Sequence, residues 1–219
     1  IWTWDHFFPL YDNPNGAHFE GWALLAAMAA DTRQAQIGIL VSCNTYRNPD
    51  LLADMARTVD HLSEGRTVLG IGAGWSERDY AEYGYEFATA GRRLQDLEAS
   101  LGRIRSRLAR LVPPPVGRLP ILIGGGGEKV TLRLVAQHAD MWNLVTSDPG
   151  QFRAKNEALT AWCEREKRNP EGIERTVLFE SELCPDPSAF VDAGARHLIM
   201  EWRHPYGLEA PLRFRESLA

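Results

Sequence analysis

Short apolar runs alternate with longer helix-patterned segments along nearly the whole chain, and this alternation constrains the fold more than any single motif. "IWTW" is the first run, and "FEGWALLAAMAADT" then spaces Phe19, Trp22, Leu25, Ala26 and Ala29 along one helical face. "AQIGILV" is β-branched and nearly continuous, as a strand buried on both faces should be. "NPDLLADMARTVDHLSEG" reads as a helix with Pro49 in its first turn and Gly65 at its end. "RTVLGIGAGW" is a strand running into glycines, and a helix is expected from about Gly91 to Leu111, before the breaker "PPP". The second half repeats the rhythm. "LPILIGGGG" and "MWNLV" are strands, each followed by a helix: "EKVTLRLVAQHAD", then "DPGQFRAKNEALTAWCEREKRN" with its Asp cap and proline. "ERTVLFES" and "RHLIMEW" are the last strands, with a short helix "PSAFVDAGA" between them and another beginning near Glu209.

About seven strands, each with its helix, predict an α/β fold with a parallel sheet covered by helices. An open doubly wound sheet and a closed TIM (β/α)8 barrel both satisfy that pattern. The strand count favours the barrel with one unit short. Because the chain opens directly on a strand, the expected position of the missing first βα unit is upstream of residue 1. With no linker-like stretch and no shift in composition, residues 1–219 read as a single domain.

Composition narrows the partners. A formal net charge of -5 argues against nucleic acid or an anionic membrane surface as the main partner. The longest apolar stretches are far too short to span a bilayer. Cys43, Cys163 and Cys184 are widely spaced and odd in number, so they form neither a disulfide framework nor a zinc set, and a reducing cytoplasm is the expected location. No metal site is expected, since His18, His61, His138, His197 and His204 lack ligand spacing.

In a parallel barrel the chemistry lies where the strands end. Those positions hold Asp5 and His6; Ser42, Cys43, Asn44 and Tyr46; Gly72 to Trp75; Gly124 to Gly127; Asn143 and Thr146; Glu180 and Ser181; and Glu201 to His204. "ILIGGGGEK" is the most informative. Four glycines between strand and helix present bare N–H groups, and a helix starting near Glu128 would add its positive end, so the segment suits a phosphate. It is neither a Walker A loop nor a complete dinucleotide fingerprint. In "LGIGAGW", Gly70, Gly72 and Gly74 allow either a flat ligand or a neighbouring strand to come close. His6 can exchange a proton near neutral pH. Glu180 and Glu182 share a strand face and read as solvated or salt-bridged. No Gly-x-Ser-x-Gly elbow for acyl transfer is present.

Taken together, "WTWDHF", "YRNPDLLADMARTVDHLSEGRTVLGIGAGW", "PILIGGGGEKVTLRLVAQHADMWN" and "CEREKRNPEGIE" resemble the luciferase-like family of flavin and deazaflavin oxidoreductases, in particular its coenzyme F420 branch. The resemblance implies a TIM barrel, a homodimer and a cofactor lying across the strand ends. It implies that His6, with Asp5 beside it, borders the reactive ring and handles a proton. Leu40–Val41 is similar to the place where family members hold a non-proline cis peptide against the ring. Ala73 and Gly74 would line the cofactor, and Gly124, Gly125, Gly126 and Gly127 would receive its phosphate. Sugar-phosphate dehydrogenases of the family carry a Glu where this chain has Trp75 and a Trp where it has Leu10, so sugar-phosphate oxidation by that route is not expected. Trp75 and Tyr46 would instead line an aromatic pocket for a small, fairly apolar substrate. The implied activity is F420-dependent hydride transfer. The alternatives are an FMN-dependent monooxygenase and a non-catalytic flavin-binding relative.

Overall fold

The computed structural model describes residues 1–11, 13–180, 186–202 and 206–216. Ser181, Glu182, Cys184, Arg203 and His204 therefore lie outside the described residues. The sequence reads as one domain; the backbone divides into two compact units, Ile1–Gly124 and Gly125–Ala219, with the division inside the glycine run.

The first unit is built on parallel strands: β1 (Trp2–Thr3), β2 (Ile37–Ile39), β3 (Ser42–Cys43), β4 (Thr67–Gly72) and β5 (Ile121–Gly124). β2 pairs with β1 through Gly38 opposite Trp2, and with β4 through Ile37 opposite Thr67. β3 pairs further along the same β4, with Ser42 opposite Ile71, and β5 flanks β4 with Ile121 opposite Leu69. The expected single strand "AQIGILV" is thus two short ones, interrupted where the Leu40–Val41 peptide is cis. Both faces of β4 are buried, which explains its unbroken apolar and glycine run.

The helices of this unit are α1 (Gly21–Asp31), α2 (Pro49–Leu62), α3 (Glu77–Tyr83) and α4 (Ala90–Leu108). Asn48 caps α2 by accepting from the Asp50 N–H, and Pro49 occupies its first turn as the sequence predicts. Leu52, Ala53, Ala56 and Val59 form its buried stripe, and Leu97, Leu101 and Ile104 form that of α4. The exposed sides of these two helices are linked by Arg103–Asp50 and Arg107–Asp54 pairs at 2.5 and 2.9 Å. Arg66 donates to the Ala29, Thr32 and Ala35 carbonyls, satisfying acceptors at and just beyond the C-terminal end of α1. α3 is not anticipated by the sequence reading. It is short, closed by Gly84 at φ 70°, and has only Asp79 and Tyr80 buried.

The second unit holds parallel strands β6 (Met141–Val145), β7 (Glu174–Phe179) and β8 (His197–Met200), with helices α5 (Thr131–His138), α6 (Pro149–Arg165), α7 (Ser188–Asp192) and α8 (Glu209–Glu216). β7 is central, pairing Glu174 with Met141 and Thr176 with His197. An aromatic chain fills its core. Trp142 stacks on Phe152 at 5.4 Å, Phe152 meets Phe190 edge-on, and Phe179 packs on Phe190 at 5.3 Å. α5 begins at Thr131 rather than near Glu128; residues 128–130 form a turn, so the positive end of the helix lies a turn later than expected.

Candidate active site

In the first unit the segment after β1 is organised by two buried carboxylates. Asp5 accepts both nitrogens of Arg47, at 2.6 and 2.8 Å, and the Cys43 N–H at 2.9 Å. Arg47 continues to Glu20, the residue that caps α1. Burial works against the Arg47 charge, but Asp5 and Glu20 outweigh it and raise the guanidinium pKa. Asp5 therefore clamps the end of β1 to the end of β3, and each of its oxygens carries a strong donor.

His6 points away from Asp5 and meets a carboxylate that the sequence reading did not single out. Its Nδ1 lies 2.6 Å from Asp79 Oδ2, and the Phe7 N–H donates to Asp79 Oδ1 at 3.0 Å. Asp79 is 1% exposed. Burial pushes its carboxyl up, but hydrogen bonds from His6, Ser76 and the Phe7 amide outweigh that and hold it below the usual carboxylate range. An ionised carboxylate only accepts, so Nδ1 carries the proton and donates. Neutral His6 then has its lone pair on Nε2, and no partner for that atom is found among the described residues. The ring is held edge-on against Trp75 at 5.1 Å, and His18 donates through Nε2 to the His6 carbonyl at 2.7 Å. His18 itself stacks on Trp4.

The two aromatic pocket candidates part company. Trp75 is 65% exposed, whereas Tyr46 is 7% exposed, enclosed by Phe7, Tyr80 and Tyr85. Burial first, then the neighbouring Cys43, Asp79 and Tyr80, raise the Tyr46 phenol pKa, so it stays protonated. The Tyr80 hydroxyl is tied to Thr45 Oγ1 at 2.5 Å and Cys43 Sγ at 3.1 Å.

The alternating glycines of β4 have a protein-internal cause. A Cβ on Gly72 would lie 2.7 Å from Val41 Cγ2, and one on Gly70 would overlap the Ile39 carbonyl. The cis-linked Leu40–Val41 segment occupies the space that these glycines leave, and Val41 also lies against Gly124. Gly74 adopts φ +82° beneath Tyr80 and Cys43, and its carbonyl accepts from Arg93 at 3.1 Å. Ala73 and Gly74 are both half-buried at the end of this strand. Just beyond β3, Asn44 is 4% exposed, and its Oδ1 has no hydrogen-bond partner, a buried acceptor that an N–H of a bound ring would satisfy.

In the second unit, Gly125 is committed to β6. Its N–H donates to the Asn143 carbonyl at 3.0 Å, and its own carbonyl accepts from Trp142 Nε1 at 2.8 Å. Gly126 and Gly127 differ. Among the described residues neither N–H has a partner, and Gly127 is exposed. Thr131 Oγ1 lies 2.8 Å from where a Cβ on Gly127 would sit, and the Lys155 stem passes 3.8 Å from the corresponding point on Gly126. Two free amides, a hydroxyl and a cation form a donor set for an anion, narrower than the four-glycine set the sequence suggests. Asn143, another strand-end candidate, is buried with its amide donating to Thr176. No grouping of metal-ligand type occurs among the described residues.

Two solved structures define the fold class. An F420-dependent secondary alcohol dehydrogenase in complex with an F420–acetone adduct matches with a TM-score of 0.81, covering 91% of this chain and 83% of that one at 17% identity. A type II Baeyer–Villiger monooxygenase, the oxygenating constituent of 3,6-diketocamphane monooxygenase from Pseudomonas putida in complex with FMN, matches with a TM-score of 0.61 over 74% of this chain and 54% of that one, at 17% identity. The chain has the α/β fold of the luciferase-like TIM barrels. It belongs to the luciferase-like monooxygenase family, whose model matches residues 1–203. Among curated relatives, an F420-dependent glucose-6-phosphate dehydrogenase of Amycolatopsis mediterranei is 28% identical over 199 residues, 81% of this chain and 58% of that protein. A phthiodiolone/phenolphthiodiolone dimycocerosates ketoreductase of Mycobacterium kansasii is 28% identical over 72% of this chain and 47% of its own length. The chain thus spans about half the length of these relatives.

Proposed function

We propose that the chain is part of an F420-dependent oxidoreductase acting on a small, fairly apolar alcohol or carbonyl compound. The observation that carries this reading is the His6–Asp79 pair, with the second imidazole nitrogen unclaimed beside an exposed indole. The names of the relatives point the same way, since both a secondary alcohol dehydrogenase and a ketoreductase are among them.

Each unit, taken by itself, carries groups of the kind such a cofactor needs. Leu40, Val41, Ala73 and Gly74 supply the surface for the ring, and the unpartnered Asn44 carbonyl suits a ring N–H. Gly126 and Gly127 offer amides for a phosphate, on the strength of their own free N–H groups. Gly125 gives its N–H to Asn143 and so shapes the loop rather than donating to a ligand, while Gly124 leaves room for the Val41 side chain. When bound, the deazaflavin supplies the hydride acceptor or donor. His6 Nε2 would accept the hydroxyl proton of an alcohol and return it to a carbonyl oxygen in the reverse direction. Asp79 holds the ring in the tautomer that leaves Nε2 basic and stabilises the imidazolium that forms. Asp5 positions His6 by clamping its strand to Arg47. Trp75 supplies the apolar wall, whereas Tyr46 is enclosed in the core by Phe7, Tyr80 and Tyr85 and does not line the pocket. The homodimer and the cytoplasmic location are part of the same proposal; no helix among the described residues is long and apolar enough to cross a membrane.

The test is titration of the full-length protein with F420 and with FMN, followed by absorbance and fluorescence, then turnover of secondary alcohols and ketones. Micromolar binding of F420 with hydride exchange supports the proposal. Oxygen consumption with reduced FMN would favour the monooxygenase reading, for which the family description and the FMN complex speak. Binding without turnover would mark a non-catalytic relative.

A further inference from the structure

Lys155 sits on α6, whose start is capped by Asp148 accepting from the Gly150 N–H at 2.8 Å. Its side chain is only 25% exposed, low for a residue that usually extends into solvent. The stem crosses Gly126: the Cε and Cδ atoms lie 3.8 and 3.9 Å from where a Cβ on that glycine would be. The ammonium group donates to Glu128 Oε1 at 2.7 Å. The Glu128 backbone is itself fixed to the same helix, because Trp162 Nε1 donates to its carbonyl at 2.6 Å. The stem of a cationic side chain therefore passes beside Gly126, one of the two glycines whose amides have no partner, and the exposed carboxylate of Glu128 neutralises the charge. Glu128 is 60% exposed, and hydrogen bonding to Lys155 lowers its carboxyl pKa. A pair of this exposure is weak, so a phosphate group reaching the free amides and Lys155 competes with it readily.

We propose that Lys155 is a phosphate-binding residue of this chain and that Glu128 is its placeholder, displaced when the phosphate arrives. Because Lys155 reaches the loop from α6, it adds charge that the backbone amides lack. It also makes affinity depend on the phosphate group rather than on the ring. The inference rests on the assignment of the cofactor's phosphate to the glycine loop, and it adds a consequence of opposite sign at two neighbouring side chains.

The experiment measures dissociation constants of F420, FMN and riboflavin for the full-length protein and for Lys155→Gln and Glu128→Gln, at low and high salt. Lys155→Gln should weaken F420 or FMN about tenfold, the loss of one charge-assisted hydrogen bond. It should flatten the salt dependence and leave riboflavin, which has no phosphate, unchanged. Glu128→Gln should tighten the phosphorylated ligands by a few-fold, because the competing carboxylate is gone. Thermal unfolding of both variants within a few degrees of the parent verifies that the fold is intact. Equal affinities in parent and Lys155→Gln, with the parent binding normally, would overturn the role of Lys155 and leave the proposed function standing. Failure of the parent to bind any of the phosphorylated ligands would overturn both. Equal loss for riboflavin would show that Lys155 acts through the ring or the fold, against the proposal.

Discussion

Replacing Asp79 with Asn tests the chemistry at a single atom. The Phe7 N–H must keep an acceptor, so the new amide oxygen faces it, as Asp79 Oδ1 does now at 3.0 Å. The amide NH2 then takes the place of Oδ2, 2.6 Å from His6 Nδ1. An NH2 group donates, so His6 must present a lone pair at Nδ1 and move its proton to Nε2. The nitrogen proposed to accept the substrate proton is then already protonated. A hydrogen bond to a charged partner is also lost, worth about 1.5–3 kcal/mol, or roughly 10- to 150-fold in rate. The same exchange in serine proteases costs about 10⁴-fold, which sets an upper bound for a His–Asp pair. We expect turnover to fall roughly 10²- to 10³-fold, cofactor affinity to stay within threefold, and ¹⁵N NMR to report the switched His6 tautomer. Steady-state kinetics with a parallel F420 titration is the assay. Near-parent turnover in the Asn variant, alongside a dead His6→Ala variant, would refute the assignment of Asp79 as the group that orients His6.

Acid should erase part of the Asp79 contribution to stability. Its folded-state pKa is depressed below the ordinary value of 3.8, so that contribution is present above 3.8 and is lost as pH falls through the lowered value. Urea denaturation at stepped pH should show the gap between parent and Asp79→Asn narrowing below that point. Arg47→Met strands Asp5 as a buried carboxylate and should cost about 3–5 kcal/mol in the same assay, and a loss under 1 kcal/mol would contradict the clamp. Gly72→Ala places a methyl 2.7 Å from Val41 Cγ2 in a closed strand interior and should cost about 1–3 kcal/mol. Its circular dichroism melt would be unshifted if β4 had room to spare.

The elements were largely legible because each strand and helix carries a local signal. Pro49 and Asn48 mark α2, and Asp148 and Pro149 mark α6, with the capping groups in the expected places. Less visible were features that depend on partners distant in sequence. α3 escaped notice because only two of its seven residues are buried. The second strand is interrupted at the Leu40–Val41 peptide, a position that the family resemblance pointed to and that no periodicity inside "AQIGILV" announces. The glycine run overstated the donor set, since Gly125 spends its N–H on Asn143.

By itself the chain's amino-acid order determined the alternation of strand and helix, the parallel sheet it requires, and the short list of strand-end residues on which His6 and the glycine loop stand. Those are consequences of periodicity and backbone conformation, which act over a few neighbouring residues. Only the tertiary structure decided which carboxylate serves His6. Asp5 is its neighbour in sequence but is turned to Arg47, whereas Asp79 is 73 residues away and lies within hydrogen-bond distance. The nearer acid is held by Arg47 and the Cys43 amide, so the partner of the ring comes from α3, an element that only the folded chain brings beside His6.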